Sequence, residues 1–336
     1  MKLGGFPERI WRRRWLRALV LLAALPLLAT VDWGVRRPLA GPGEAPLRYT
    51  PVTLAAGDPA RRDLGRLHYL GGWALSSPDD RLGALSALRV EGDQAVALSD
   101  AGMLVTFPLP GASAAPRVTF RPVAQGPGPA RDRRTRDTEG LWLEGDRLWI
   151  TFERQNAVWR YDRASFTGQT GAQPAPMRKW WPNSGPETIV RLADGRFLVI
   201  EEGRDNGSAA SEAVLFAGDP AVPGTPAAAL TYRRPAGYRA TDAALLPDGR
   251  LLILNRSLAS LRLSAKLVLA DPRGLRPGGM LAGEEIATLA EPLVVDNMEG
   301  VAVSSEHGRT IVWLVSDDDF MRLFRRTLLL KFELRL

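Results

Sequence analysis

The chain has 336 residues, a net charge of +7, 45% hydrophobic residues and no cysteine. That length allows one large β domain or two ordinary domains, and it is long enough to bury a real core. Without cysteine there are no disulfides, thiolate metal sites, cysteine nucleophile or cysteine-linked lipid, and only His68 and His307 can supply an imidazole.

The charge is concentrated at the N-terminus. Lys2, Arg9, Arg12, Arg13, Arg14 and Arg17, against Glu8, account for most of it. The rest of the chain is near neutral, which argues against a nucleic-acid partner. An unbroken apolar stretch from Ala18 to Val31 follows. It is shorter than the ~20 residues of a comfortable membrane span, and with the basic segment before it reads as a secretory signal peptide. Ala29 and Val31 match the small-residue cleavage pattern only roughly, so an uncleaved anchor over residues 18–31 is the alternative. Residues 1–35 are therefore expected to be a signal peptide or anchor. The domain is expected to be periplasmic or secreted, touching a membrane only through that segment. Residues 36–60, rich in Pro and Gly, are predicted to be a linker. Residues 61–336 are predicted to be one folded domain, expected to be a monomer.

Within that domain one unit recurs five times: a polar residue, an apolar run, a tight turn, a second apolar run and another polar residue. Ser86 and Asp100 bracket the first, Glu139 and Glu153 the second, Glu187 and Glu201 the third, Thr241 and Asn255 the fourth, and Glu299 and Asp317 the fifth. Asp93, Asp146, Asp194, Asp248 and Gly308 mark the midpoints. Residues equidistant from a hairpin turn sit opposite each other, so each polar pair is predicted at the open end of its hairpin. The second runs, such as Phe197-Leu198-Val199-Ile200 and Leu251-Leu252-Ile253-Leu254, are too short for helices but suit strands buried on both faces. Asp194-Gly195 and Asp248-Gly249 are hairpin turn dipeptides. A period of 48 to 58 residues matches four-stranded propeller blades. The fold is predicted to be an all-β propeller of six blades, with five or seven as alternatives. The sixth blade would combine strands around His68 to Leu75 with Leu328 to Leu336.

Leu85-Ser86-Ala87-Leu88, Ser99-Asp100, Asp137-Thr138-Glu139-Gly140, Asn183-Ser184-Gly185-Pro186-Glu187, Asp296-Asn297-Met298-Glu299-Gly300 and Ser316-Asp317-Asp318-Asp319-Phe320 together resemble the phytase-like family. Its members are exported bacterial proteins described by an esterase-like activity of phytase. The resemblance spans roughly Leu64 to Leu336. It implies distant similarity to propeller phytases, which hold calcium with carboxylates and cleave phosphate esters through a metal-activated water. Two positions depart from the family pattern: Asn255 stands where a glutamate usually precedes the arginine, and Asp319 where an asparagine usually precedes the phenylalanine.

If the hairpins line a central channel, Asp100, Glu139, Glu153, Glu187, Glu201, Asp242, Glu299 and Asp317 converge at one end as candidate metal ligands. Crowded carboxylates repel, so some must be protonated or neutralised by a cation. An oxygen-only set favours a hard divalent metal, Ca2+ above Zn2+. The candidate catalytic residues are Glu139, Glu187 and Glu299, with Arg154 and Arg256 orienting an anionic group. Metal plus arginine is what a phosphoester needs to be clamped and attacked by water. The expected activity is therefore metal-dependent hydrolysis of an ester, a phosphoester above others, with a small anionic or ester substrate.

For any single acid the competing reading is structural, because strand-end carboxylates also bond amides and arginines of the next blade. Two alternatives for the whole protein stand beside the hydrolase. One is a non-catalytic propeller that binds a ligand or protein in the cell envelope. The other is a propeller lactonase, for which Asn183, Asn255 and Asn297 supply suitable amides. A serine hydrolase fits poorly, since neither histidine lies near a nucleophile-elbow serine. His68 is expected to be structural and His307 a surface turn residue. The run Arg131, Arg133, Arg134 and Arg136 is predicted to be an exposed loop.

Overall fold

A computed structural model of the chain describes residues 41–129, 135–204, 208–259, 262–321 and 325–336. The signal or anchor segment, and Arg131, Arg133 and Arg134 of the basic run, lie outside the described residues. Among those described, no helix is long and apolar enough to cross a membrane.

Among the described residues five sheets make five blades, antiparallel except for one short parallel pairing of Thr231 and Tyr232 with Met280 and Leu281, each with a predicted hairpin as its inner half. Blade 1 runs outward from Leu85–Glu91 through Gln94–Ser99 and Met103–Pro108 to Arg117–Pro122. Blade 2 starts at Thr138–Glu144, blade 3 at Pro186–Arg191, blade 4 at Arg239–Leu245 and blade 5 at Asn297–Glu306. Each inner strand packs beside the next, and the fifth packs beside the first, so the ring closes.

The blade count is corrected from six to five. Leu328–Leu334 and Leu67–Ser76 do pair, as predicted, but on the outer side of Arg309–Asp317, where they complete blade 5. Strands from the two ends of the domain thus share one sheet, and ladder hydrogen bonds close the ring. The predicted linker also contains strands. Gly43–Pro46 extends blade 1 and Arg48–Pro51 extends blade 5, because edge strands offer unpaired backbone groups that an extended segment can satisfy.

The core is divided. Five apolar clusters fill the five spaces between neighbouring blades; Val190, Leu198 and Ile200 of blade 3, for example, meet Ala243, Leu251 and Ile253 of blade 4. Strands in such a stack bury both faces, which is why their apolar runs are continuous and do not alternate.

Each inner strand carries a β-bulge at the same place. Leu85 pairs with Ser99 but Ala87 with Leu98, so Ser86 is the extra residue. Equivalent shifts single out Glu187, Thr241 and Glu299, while Glu139 and Gly140 together face Thr151. A bulge re-aims a side chain and twists its strand. All five polar residues that begin the repeated units are bulge residues. The glycine after two of them permits close packing of neighbouring strands. A Cβ on Gly140 would lie 2.7 Å from the Glu187 carbonyl oxygen, and one on Gly300 2.8 Å from the Leu88 nitrogen.

One side chain ties the five inner strands together. Arg89 of blade 1 donates to the carbonyls of Val301 (3.2 Å, blade 5) and Ile189 (3.4 Å, blade 3) and to Asp242 (2.9 and 3.0 Å, blade 4). Its guanidinium lies 5.6 Å from the Trp142 ring of blade 2. Asp242 completes this plug by accepting the amides of Ala243 at 2.8 Å and Val301 at 3.0 Å.

Candidate metal centre

The residue that faces each bulge across the open end of its hairpin depends on turn length. Blades 1, 2 and 5 turn through two residues, with Glu91 opposite Gln94, Glu144 opposite Arg147 and Glu306 opposite Arg309. Blades 3 and 4 have one residue more: Leu192 bonds Arg196 and Leu246 bonds Arg250 across three-residue turns whose glycines, Gly195 and Gly249, have φ of 89° and 85°. Equal spacing therefore selects Asp100, Glu153 and Asp317 in the short-turn blades, but falls one residue early in the other two. There the equivalent positions are Glu202 and Arg256.

Glu201 and Asn255 accordingly point elsewhere. Glu201 accepts the Glu212 amide at 3.4 Å, and burial raises its pKa to about 7. Asn255 accepts the Tyr232 hydroxyl at 3.1 Å, so the departure from the family pattern at 255 falls outside the ring of charges. Asp242 is held apart in the plug. Burial raises its carboxyl, and Arg89 and backbone amides oppose that shift.

The other acids gather at the mouth. One oxygen each from Asp137, Glu139 and Glu153 lie within 4.8 Å of one another, and so do one each from Glu153, Glu187 and Glu202. Glu153 joins the two groups, and either is close enough to hold a metal ion. Arginines meet some of these carboxylates. Arg154 Nε lies 2.6 Å from Asp137; Arg239 and Arg256 reach the two oxygens of Glu202 at 3.0 and 2.9 Å; Arg256 Nε is also 2.6 Å from Glu299. Asn297 donates to Glu299 at 2.8 Å and to Asp317 at 3.2 Å. Asp317 further accepts the Asp319 amide at 2.6 Å, and Asp319 pairs with Arg325.

Glu139, Glu153 and Glu187 form no ion pair with a lysine or arginine among the described residues. Burial raises Glu139 well above the usual carboxylate range, and Glu187, Asp137, Glu153 and Asp100 push it further. Burial does the same to Glu187, with Glu202, Glu153 and Glu299 adding repulsion. Burial and Asp137 raise Glu153 to about 8. Burial raises Glu299 to about 8 against the pull of Arg256. Asp317 is raised by burial, by its contact with Asp319 and by Asp100. Two buried oxygens in these surroundings also lack a hydrogen-bond partner: Thr241 Oγ1 at the blade 4 bulge and Oδ1 of Asn297. Oxygen donors, repelling carboxylates and unfilled acceptors form a set that fits a hard divalent cation.

Glu202 and Asp137 were not among the sequence candidates, and Asn297 was named only as an amide for the lactonase alternative. Asp137 and Asn297 stand inside quoted motifs, and the Glu201-Glu202 doublet offered two choices that only turn length separates. In the basic run, Arg136 is buried and not exposed. It donates to the carbonyls of Val123, Ala124, Pro127 and Thr135 and thereby ties its loop together. His68 lies in a strand with Asp63 at 2.7 Å, and His307 in the blade 5 turn.

Fold and mouth together define a five-bladed propeller with a carboxylate-rich opening at its centre. Residues 80–320 match the Phytase-like family model, described as esterase-like activity of phytase, and the chain belongs to that family. No curated protein matches it. Among solved structures it is similar to Myxococcus xanthus glutaminyl cyclase (TM-score 0.46, 11% identity, 80% of this chain and 97% of that one). It is also similar to the Myceliophteria thermophila Cps50 (Swd1) β-propeller domain (TM-score 0.40, 9% identity, 86% and 100%). A chain of a nidogen/laminin complex shows a comparable likeness (TM-score 0.41, 9% identity, 81% and 88%).

Proposed function

We propose that the protein is an exported, divalent-cation-dependent hydrolase of an ester, with a phosphoester as the leading substrate class and Ca2+ as the leading ion. One observation carries this reading: at the centre of the propeller Glu153 lies in one carboxylate group with Glu139 and in another with Glu187, and none of these three forms an ion pair among the described residues. These three would hold the cation, with Asp137 beside them. When bound, it would polarise the ester and lower the pKa of a water. Family membership supports an ester substrate, and the basic, then apolar, N-terminus supports export.

The chain's own groups take definite parts. Arg154, with its side chain 40% exposed, is the rim arginine available to an anionic substrate, and Asp137 orients it. Glu299, fixed by Asn297 and Arg256 and raised to about 8, is the carboxyl suited to hold or pass a proton near neutral pH. Arg256 is already engaged by Glu202 and Glu299, so orienting substrate falls to Arg154.

The purified protein, assayed with aryl phosphates, carboxyl esters and lactones in calcium or in chelator, tests the proposal. Calcium-dependent phosphoester turnover is expected. Turnover of lactones alone would reassign the substrate class. Absence of both bound metal and turnover would overturn the reading and favour a binding propeller.

A further inference from the structure

The mouth has a cation built into the chain. By register, Arg256 occupies in blade 4 the position that Asp100, Glu153, Glu202 and Asp317 hold in the other blades. It reaches across to acids of two other blades, Glu202 Oε1 of blade 3 at 2.9 Å and Glu299 Oε1 of blade 5 at 2.6 Å. Arg239 occupies the second oxygen of Glu202. These contacts divide the mouth. On one side Glu202 and Glu299 are neutralised by guanidinium groups. On the other, Glu139, Glu153 and Glu187 form no ion pair among the described residues, although Glu202 lies within 4.8 Å of both Glu153 and Glu187.

We propose that Arg256 is the permanent cation of this mouth: it neutralises Glu202 and Glu299 and confines exchangeable divalent metal to one site centred on Glu153, the carboxylate that joins Glu139 to Glu187. The proposal rests on the metal-dependent reading above. A guanidinium is always protonated and its planar fork can bridge two carboxylates, so it gives fixed neutralisation that no chelator removes. A metal ion there would compete with a guanidinium that hydrogen-bonds Glu202 and forms an ion pair with Glu299. At Glu139, Glu153 and Glu187 no guanidinium forms an ion pair among the described residues, and Arg256 and Arg154 act on Glu187 and Glu153 only from a distance. The unpartnered Thr241 Oγ1, at the bulge next to Glu187 in the ring, and the unpartnered Asn297 Oδ1 show that this buried mouth retains acceptor capacity the chain does not satisfy. Arg256 is thus a positioning residue that sets metal number and holds Glu299 in place.

Calcium titration by calorimetry, with elemental analysis of the full chain, tests this in wild type, Arg256→Gln, Arg256→Lys and Glu187→Gln. One calcium per wild-type chain is expected, none in Glu187→Gln, two in Arg256→Gln and one in Arg256→Lys, which keeps the charge. Calcium should also raise the melting temperature of Arg256→Gln more than that of wild type. Two ions in wild type, or an unchanged single ion in Arg256→Gln, would overturn the proposal. No ion in wild type but one in Arg256→Gln would remove the metal reading and leave Arg256 as the resident cation. No ion in either would remove both. If Arg256→Gln does not fold, Arg256→Lys decides by itself, since a second ion there would contradict a role set by charge.

Discussion

Asp242 and Glu187 lie on adjacent inner strands, and both are nearly inaccessible, with relative exposures of 0% and 6%. Asp242 meets Arg89 through both oxygens and accepts backbone amides from two blades. Glu187 faces three further glutamates and forms no ion pair among the described residues. The plug and the mouth therefore bury charge in opposite ways. A buried ion pair with its remaining lone pairs satisfied is compatible with a fixed structure, whereas unpaired buried carboxylates destabilise the fold until a proton or cation arrives. A fold carries such a cost where a ligand offsets it, and this is the ground for proposing the mouth as the functional end.

The largest effect is expected at the plug. Asp242→Ala should lower unfolding free energy by about 3–5 kcal/mol, because Arg89 is left buried without its partner. Arg89→Met with Asp242→Leu should recover much of that loss. Denaturant unfolding measures both, and a loss under about 1 kcal/mol for Asp242→Ala would show that the plug is not structural.

The same change of charge at the mouth should have the opposite sign. In chelator at pH 8, Glu187→Gln should stabilise the domain by about 1–2 kcal/mol, because it removes a carboxyl that burial holds far from its ordinary pKa. Destabilisation in chelator would place Glu187 with the plug residues.

pH gives a third, smaller effect. Glu153 and Glu299 titrate near 8 in the fold, against 4.5 ordinarily. Between those values the folded state holds more protons than the unfolded chain. Stability is therefore fully present below about 4.5, falls as pH rises through 8, and levels off above it. Asp137, Glu202 and Asp319 raise these groups, while Arg154 and Arg256 lower them. Melting temperature in chelator should drop from pH 5 to pH 8, and calcium should flatten the profile. A flat metal-free profile would contradict the buried, unpaired mouth. The smallest effect is expected from Arg154→Gln, whose exposed pair with Asp137 contributes no more than about 1 kcal/mol. Its consequence should be a higher KM for anionic substrate with folding unchanged.

Much of this was legible in the chain. The continuous apolar second strands announced burial on both faces, and their period announced blades. The positions of Glu139, Glu187 and Glu299 were visible as the first residues of the repeated units, and all three are bulge residues at the mouth. The two positions misplaced at hairpin ends have one origin. A hairpin with a three-residue turn needs one more residue to reach the same place than one with a two-residue turn, so equal spacing chose Glu201 and Asn255 over Glu202 and Arg256. The apparent gap in the acidic ring at blade 4 is the position of its arginine.

The amino-acid sequence alone thus determined the all-β class, the number of hairpins and their acidic ends, because strand burial and turn chemistry are local and periodic. Tertiary structure alone decided that five hairpins make five blades, since whether terminal strands form a new sheet or complete an old one depends on which edge they reach. It also decided which carboxylates are paired. Arg89 and Asp242, or Arg256 and its glutamates, are far apart in the chain, and only closing the ring brings each arginine to its acids.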